Sequence, residues 1–92
     1  MPSVYFHVRW PDRTETACYS PSTVIREYFQ SGQIFEKSAF LQQVRLGLTS
    51  ASERVRQKFG FACSSAMDQL HAIETISRQF EEKSLIEIIS VD

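Results

Sequence analysis

Residues 4–20, VYFHVRWPDRTETACYS, decide how this chain is read. Val4, Phe6, Val8 and Trp10 alternate with Tyr5, His7 and Arg9, the period of two expected where a strand buries one face. Pro11 then presets its dihedral for the first turn position, and Asp12 is a frequent turn former. Alternation resumes with Thr14, Thr16 and Cys18 on one side and Glu15, Ala17 and Tyr19 on the other. The pattern predicts a β-hairpin with a three-residue loop. The third residue of such a loop adopts the left-handed conformation that Gly tolerates best, so Arg13 there carries a cost of about 1 kcal/mol. If Trp10 faces the core, Arg9 and Tyr19 share the opposite side of the hairpin.

Working outward, residues 20–32, SPSTVIREYFQSG, read as a short helix. Ser20 can cap it with Pro21 at the first helical position, where the missing N–H is harmless. Val24, Ile25, Tyr28 and Phe29 recur three and four apart, and Gly32 suits a left-handed stop. The longest predicted helix carries Phe40, Val44, Leu48, Ala51, Val55 and Phe59 as one stripe, with Leu41 beside it and Gly60 at its end. Gly47 costs about 1 kcal/mol relative to Ala within that helix, and one turn from Ala51 it permits a close approach. Ser64 or Ser65 can start a third helix, whose stripe is Ala66, Leu70, Ile73, Ser77 and Phe80, flanked by Met67 and Ile76. Residues 85–91, LIEIISV, are β-branched and apolar on both faces, as in a strand covered on both sides or paired centrally. The expected fold is one α+β domain over residues 1–92, ordered β-β-α-α-α-β. A three-stranded sheet, with the first strand central, packs against three helices.

Bulk properties bound the function. At 92 residues the chain holds one modest core and buries roughly 60–65% of its unfolded surface. Seven Phe, three Tyr and one Trp supply that core. A net charge of −1 argues against a dedicated nucleic-acid binder, which shows a basic excess. Charge is nevertheless uneven. Arg45, Arg54, Arg56 and Lys58 against Glu53 leave residues 44–60 at +3, and residues 64–92 stand at −4. The two segments complement each other within the fold or across a dimer, or else mark an anion site. No apolar run approaches the ~20 residues of a membrane span, and the first ten residues lack the pattern of a secretory leader. Two cysteines without such a leader suit free thiols in a reducing compartment. The expectation is a cytoplasmic protein with neither nucleic-acid nor membrane partners.

Few side chains suit chemistry. Cys63 lies near a predicted helix N-terminus with Lys58 and Arg54 close in sequence, a setting that favours a thiolate. A nucleophile also needs an oriented base, and nothing in the sequence places His7 or His71 beside it. Burial as a small apolar filler accounts for Cys63 as well. Cys18, Cys63, His7 and His71 could in principle ligate a metal, but no CxxC or HxxxH pair is present. No phosphate-cradling glycine motif occurs. No metal and no cofactor are expected. The polar residues singled out as a ligand or partner site are Arg9, Tyr19, Ser20, Arg54 and Lys58, set against the plainer reading of a solvated sheet face half covered by a partner.

The segments VRWPD (8–12), CYSPS (18–22), SERV (52–55), KFGFAC (58–63) and QLHAIE (69–74) together resemble a family of small bacterial nitrogen-starvation response proteins. The resemblance runs from Val4 to about Glu74. Its matching positions are Arg9, Trp10, Pro11, Asp12, Cys18, Tyr19, Ser20, Pro21 and Ser22, and then Ser52, Arg54, Val55, Lys58, Gly60, Phe61, Cys63, Gln69 and Leu70. Arg13 departs from it, since members usually carry Gly there. The resemblance implies a setting in a gene cluster with a nitrilase, a radical-SAM enzyme and an acetyltransferase, and no catalytic residue.

Three expectations of function follow. The first is a non-catalytic accessory or regulatory protein of nitrogen-starvation metabolism, acting through protein contacts as a homodimer, with proteins of the cluster as partners. The second is a binding module for an anionic or nitrile-derived metabolite held by Arg9, Arg54 and Lys58. The third is a thiol enzyme using Cys63.

Overall fold

The computed structural model describes residues 3–60 and 64–92. The hairpin forms as expected: β1 (Val4–Arg9) and β2 (Glu15–Ser20) are antiparallel, with Val4 opposite Ser20 and Arg9 opposite Glu15. Pro11, Asp12 and Arg13 make the loop, closed by Arg13 N–H to Trp10 C=O at 2.8 Å and Trp10 N–H to Thr14 C=O at 2.8 Å. Arg13 takes φ of 71°, the single left-handed non-Gly residue among those described. Asp12 Oδ1 accepts from both the backbone N–H (3.1 Å) and the hydroxyl (2.6 Å) of Thr14. These bonds hold the Asp12 carboxyl below its ordinary pKa.

The sheet has four strands and not three. β3 (Ile34–Glu36) and β4 (Leu85–Val91) complete the antiparallel order β2-β1-β4-β3. β1 is therefore interior, between β2 and β4. Three residues are too few to show a period of two, and β3 runs straight into the long helix, so its sequence looks like a helix approach.

Two α-helices, and not three helices of one kind, cover one face: α1 (Lys37–Phe59) and α2 (Ser64–Ser77). The expected first helix is a single 3₁₀ turn, Thr23–Glu27, capped by Ser22 and not by Ser20. Ser22 accepts from Val24 N–H at 3.2 Å. Ser20 is the last residue of β2 and paired with Val4, so the chain can turn only after it. Spacings of three and four do not separate one turn of 3₁₀ from one turn of α.

The core lies between the sheet and this helical layer. Val4, Phe6, Val8, Cys18, Ile86 and Ile88 from the strands meet Ile25, Phe29, Phe40, Val44, Leu48 and Ile73. Trp10 stacks on Phe80 (5.9 Å) and meets Phe40 edge-on (5.8 Å), while its indole N–H donates to Thr16 Oγ1 at 2.9 Å. Gly47 admits the 3₁₀ segment closely, since a Cβ there would stand 2.6 Å from Ile25 Cδ1. The close approach expected of the helix is therefore used within the chain.

Helix ends are held by tertiary contacts. Glu36 makes no side-chain cap to α1. Instead the N–H groups of Lys37 and Ser38 donate to Ser84 C=O (2.8 Å) and Glu82 C=O (3.3 Å). Lys37 Nζ in turn donates to Ser77 C=O (3.1 Å) and Phe80 C=O (2.7 Å), closing the end of α2. Gly60, at φ of 85°, terminates α1. Phe59, counted into the core stripe, is instead 52% exposed; Val55 is the last buried residue of the helix. Ser64 and Ser65 fall within the first turn of α2.

Candidate functional site

The face of the sheet away from the helices is bare, and strand alternation sets what it displays. β1 contributes Tyr5, His7 and Arg9, and β2 contributes Glu15, Ala17 and Tyr19. From the other side come Ile34 and Glu36 of β3 and Leu85 and Glu87 of β4. A bulge alters the register of β4, where His7 pairs with Ser90 and Val8 with Ile88. It turns both Ile89 and Ser90 outward, so LIEIISV is paired centrally but is not covered on both faces.

Polar contacts order this surface. Arg9 donates to Glu87 at 2.9 Å and, more distantly, to Glu15 at 3.5 Å. His7 Nδ1 lies 3.0 Å from the Ser90 hydroxyl. Tyr5 and Tyr19 meet edge to face at 5.8 Å. Tyr5, Ile34 and Leu85 remain 47%, 61% and 59% exposed. A shallow recess of about 210 Å³ opens beside Arg9, lined also by Trp10, Pro11, Arg13, Ile34, Leu85 and Glu87. An open groove adjoins it between Arg9, Arg13, Glu15 and Glu87.

The five residues singled out from the sequence do not share a centre. Arg9 and Tyr19 lie together on the bare face, as the hairpin pattern implies with Trp10 buried. Ser20 faces inward and is fully buried, its hydroxyl donating to Ser22 C=O at 2.8 Å. Arg54 and Lys58 lie on α1, in the layer over the opposite face. Arg54 is 3.7 Å from Glu27, and the Lys58 ammonium lies 5.8 Å from the centre of the Phe59 ring. At 1.5 Å per residue, Arg54 is roughly 25 Å along the helix from Lys37, whose end abuts the start of β4. The three cations of the metabolite site are thus spread over two faces.

Charge separation along the sequence is partly reconciled inside the fold. Arg45 of α1 and Glu74 of α2 form an ion pair at 2.8 Å. The free edge of β2 is met by α2, where Tyr19 N–H donates to Gln69 Oε1 at 2.8 Å.

Cys63, the candidate nucleophile, lies outside the described residues. Cys18 is fully buried, and burial pushes its thiol up to about 12, so it is neutral and sheltered at ordinary pH. Among the described residues no three His, Cys, Asp or Glu side chains gather closely enough to hold a metal. Among them, too, no helix is long and apolar enough to cross a membrane. Sequence reasoning missed Arg13 as a surface residue of interest, although the signal was present in its left-handed loop position.

Fold and surface together define a small α+β protein whose four-stranded antiparallel sheet leaves one face uncovered. The chain belongs to the family described as nitrogen starvation-induced protein NitG, which matches residues 5–91. No curated protein and no solved structure matches it. The family description supplies a physiological circumstance, nitrogen starvation, and names no reaction.

Proposed function

We propose that this is a non-catalytic accessory or regulatory protein of nitrogen-starvation metabolism, acting in the cytoplasm through protein contacts and as a homodimer. Its contact surface is the Tyr5–Tyr19 half of the bare sheet face. The observation that carries this reading is the exposed Tyr5, held edge to face against the half-buried Tyr19 of the neighbouring strand. Tyr is enriched in protein interfaces because one ring offers apolar area and a polar handle at little entropic cost. The partners proposed are a second copy of the chain and the nitrilase, radical-SAM enzyme and acetyltransferase of the associated cluster.

Light scattering at micromolar concentration tests the homodimer. The expected result is twice the 10.6 kDa chain mass, with total buried interface above ~1,000 Å². Tyr5→Glu is expected to return the protein to a folded monomer, with a native circular-dichroism spectrum and a melting temperature that no longer rises with protein concentration. A wild-type monomer, or a Tyr5→Glu dimer, contradicts the reading.

A further inference from the structure

The recess at the other end of the bare face has features that the protein-contact reading does not use. Its walls are mainly apolar: Pro11 on the turn, Ile34 on β3 and Leu85 at the start of β4. Ile34 and Leu85 come from neighbouring strands and are the two most exposed large aliphatic side chains among the described residues. Two guanidinium groups reach this surface, and they are not equivalent. Arg9 is engaged by Glu87 and Glu15. Arg13 carries no ion pair among the described residues.

Arg13 is also the residue held at φ of 71°. A left-handed non-Gly residue persists only where the surroundings determine it, and such outliers gather at ligand sites. The hairpin needs the left-handed geometry but does not need an arginine to supply it. Arg9, Arg13 and Glu87 leave the recess with one net positive charge. Glu15, which also pairs Arg9, brings the recess and adjoining groove together to neutrality. The Arg13 guanidinium, unpaired among the described residues, is therefore the one cation left there to meet a monoanion. Glu87 opposes a doubly charged one.

We propose that this recess binds a small amphipathic monocarboxylate, with Arg13 holding the carboxylate and Ile34, Leu85 and Pro11 covering the hydrocarbon. A volume of about 210 Å³ accommodates a ligand of about ten non-hydrogen atoms, below drug size. Ligands that small, in so open a site, bind with dissociation constants of about 1 mM. Arg9, already engaged by Glu15 and Glu87, borders the recess and is not the main anchor. The site is separate from the Tyr5–Tyr19 contact surface. A test on the isolated chain can therefore fail without touching that reading.

The test is an amide-resolved NMR titration of the full chain with hexanoate, run beside hexanol and with Arg13→Gln, Arg13→Lys and Arg13→Gly. Saturable shifts are expected for hexanoate, confined to residues 9–13, 34–36 and 85–87. Hexanol is expected to bind at least several-fold more weakly. Arg13→Gln and Arg13→Gly are expected to weaken hexanoate roughly tenfold, the loss of one charge-assisted contact, while Arg13→Lys largely retains it. Arg13→Gly relieves the backbone, so its loss of binding cannot come from misfolding. Non-saturating shifts, shifts scattered over other surface cations, equal binding of hexanol, or undiminished binding by Arg13→Gln each overturn the proposal.

Discussion

Replacing Lys37 by Met removes an ammonium group and keeps an unbranched apolar stem of similar length. In the native fold Lys37 Nζ donates to Ser77 C=O at 3.1 Å and to Phe80 C=O at 2.7 Å. The two carbonyls are not equally dependent on it, because Ser77 C=O also accepts from Phe80 N–H at 3.0 Å. Hydrogen bonds to charged groups contribute about 1.5–3 kcal/mol each. Half-exposure of the site lets water replace part of that. One full bond at the low end plus a fraction of the second gives a loss of about 2 kcal/mol. A domain of this size shifts by about 4–8 °C per kcal/mol, so the melting temperature should fall by roughly 8–16 °C. Urea unfolding is the direct assay, with a lower midpoint and an unchanged slope. Lys58→Met is the control, since Lys58 is exposed and donates no hydrogen bond among the described residues; its change should stay within about 0.5 kcal/mol. If Lys37→Met and Lys58→Met are equally stable, the clamp between the start of α1 and the end of α2 contributes nothing.

Other perturbations have signs set by the same structure. Arg13→Gly removes the cost of a left-handed side chain, partly offset by a looser unfolded chain, and should stabilise by about 0.5–1 kcal/mol in urea unfolding; a lower midpoint would contradict the strain. Gly47→Ala improves helix propensity by about 1 kcal/mol, yet places a Cβ 2.6 Å from Ile25 Cδ1 and 3.3 Å from Tyr28 Cγ. Overpacking of 1–3 kcal/mol makes the net change destabilising, and Ile25→Val, which removes that Cδ1, should cost less in the Gly47→Ala background than in wild type. The Cys18 thiol is raised from 9.0 to about 12, so the native state favours its protonated form. Its contribution is present in full below pH 9 and is lost as pH rises from 9 towards 12. Peptide mapping after iodoacetamide at pH 8 should find Cys18 unmodified until the protein is unfolded.

Several of these features were legible in the sequence, and the reasons are local. The hairpin, its three-residue loop and the strained Arg13 follow from alternation around PDR. Gly60 was readable as the end of α1 because a left-handed stop is a one-residue property. The placement of Arg9 and Tyr19 on one face followed from Trp10 pointing inward. What was not legible depends on contacts distant in sequence. β3 is three residues long and exists because β4 lies beside it. Ser20 looked like a surface cap, but its pairing with Val4 draws it into the interior. Phe59 kept the helical period after the helix had passed the edge of the core. The capping role of Lys37 requires Ser77 and Phe80 to arrive from forty residues away. The recess joins three separate segments of the chain.

Under the proposed function, this member of the nitrogen starvation-induced family acts by contact through the Tyr5–Tyr19 half of its bare sheet face. The most direct measurement is affinity capture from nitrogen-limited cells, comparing the tagged wild type with Tyr5→Glu. The partners proposed above, a nitrilase, a radical-SAM enzyme and an acetyltransferase, are quantified in each eluate. Retention of at least one of them by the wild type and its loss with a folded Tyr5→Glu variant is the predicted result. Recovery of none above the tag-only control, or equal recovery with Tyr5→Glu, would contradict it.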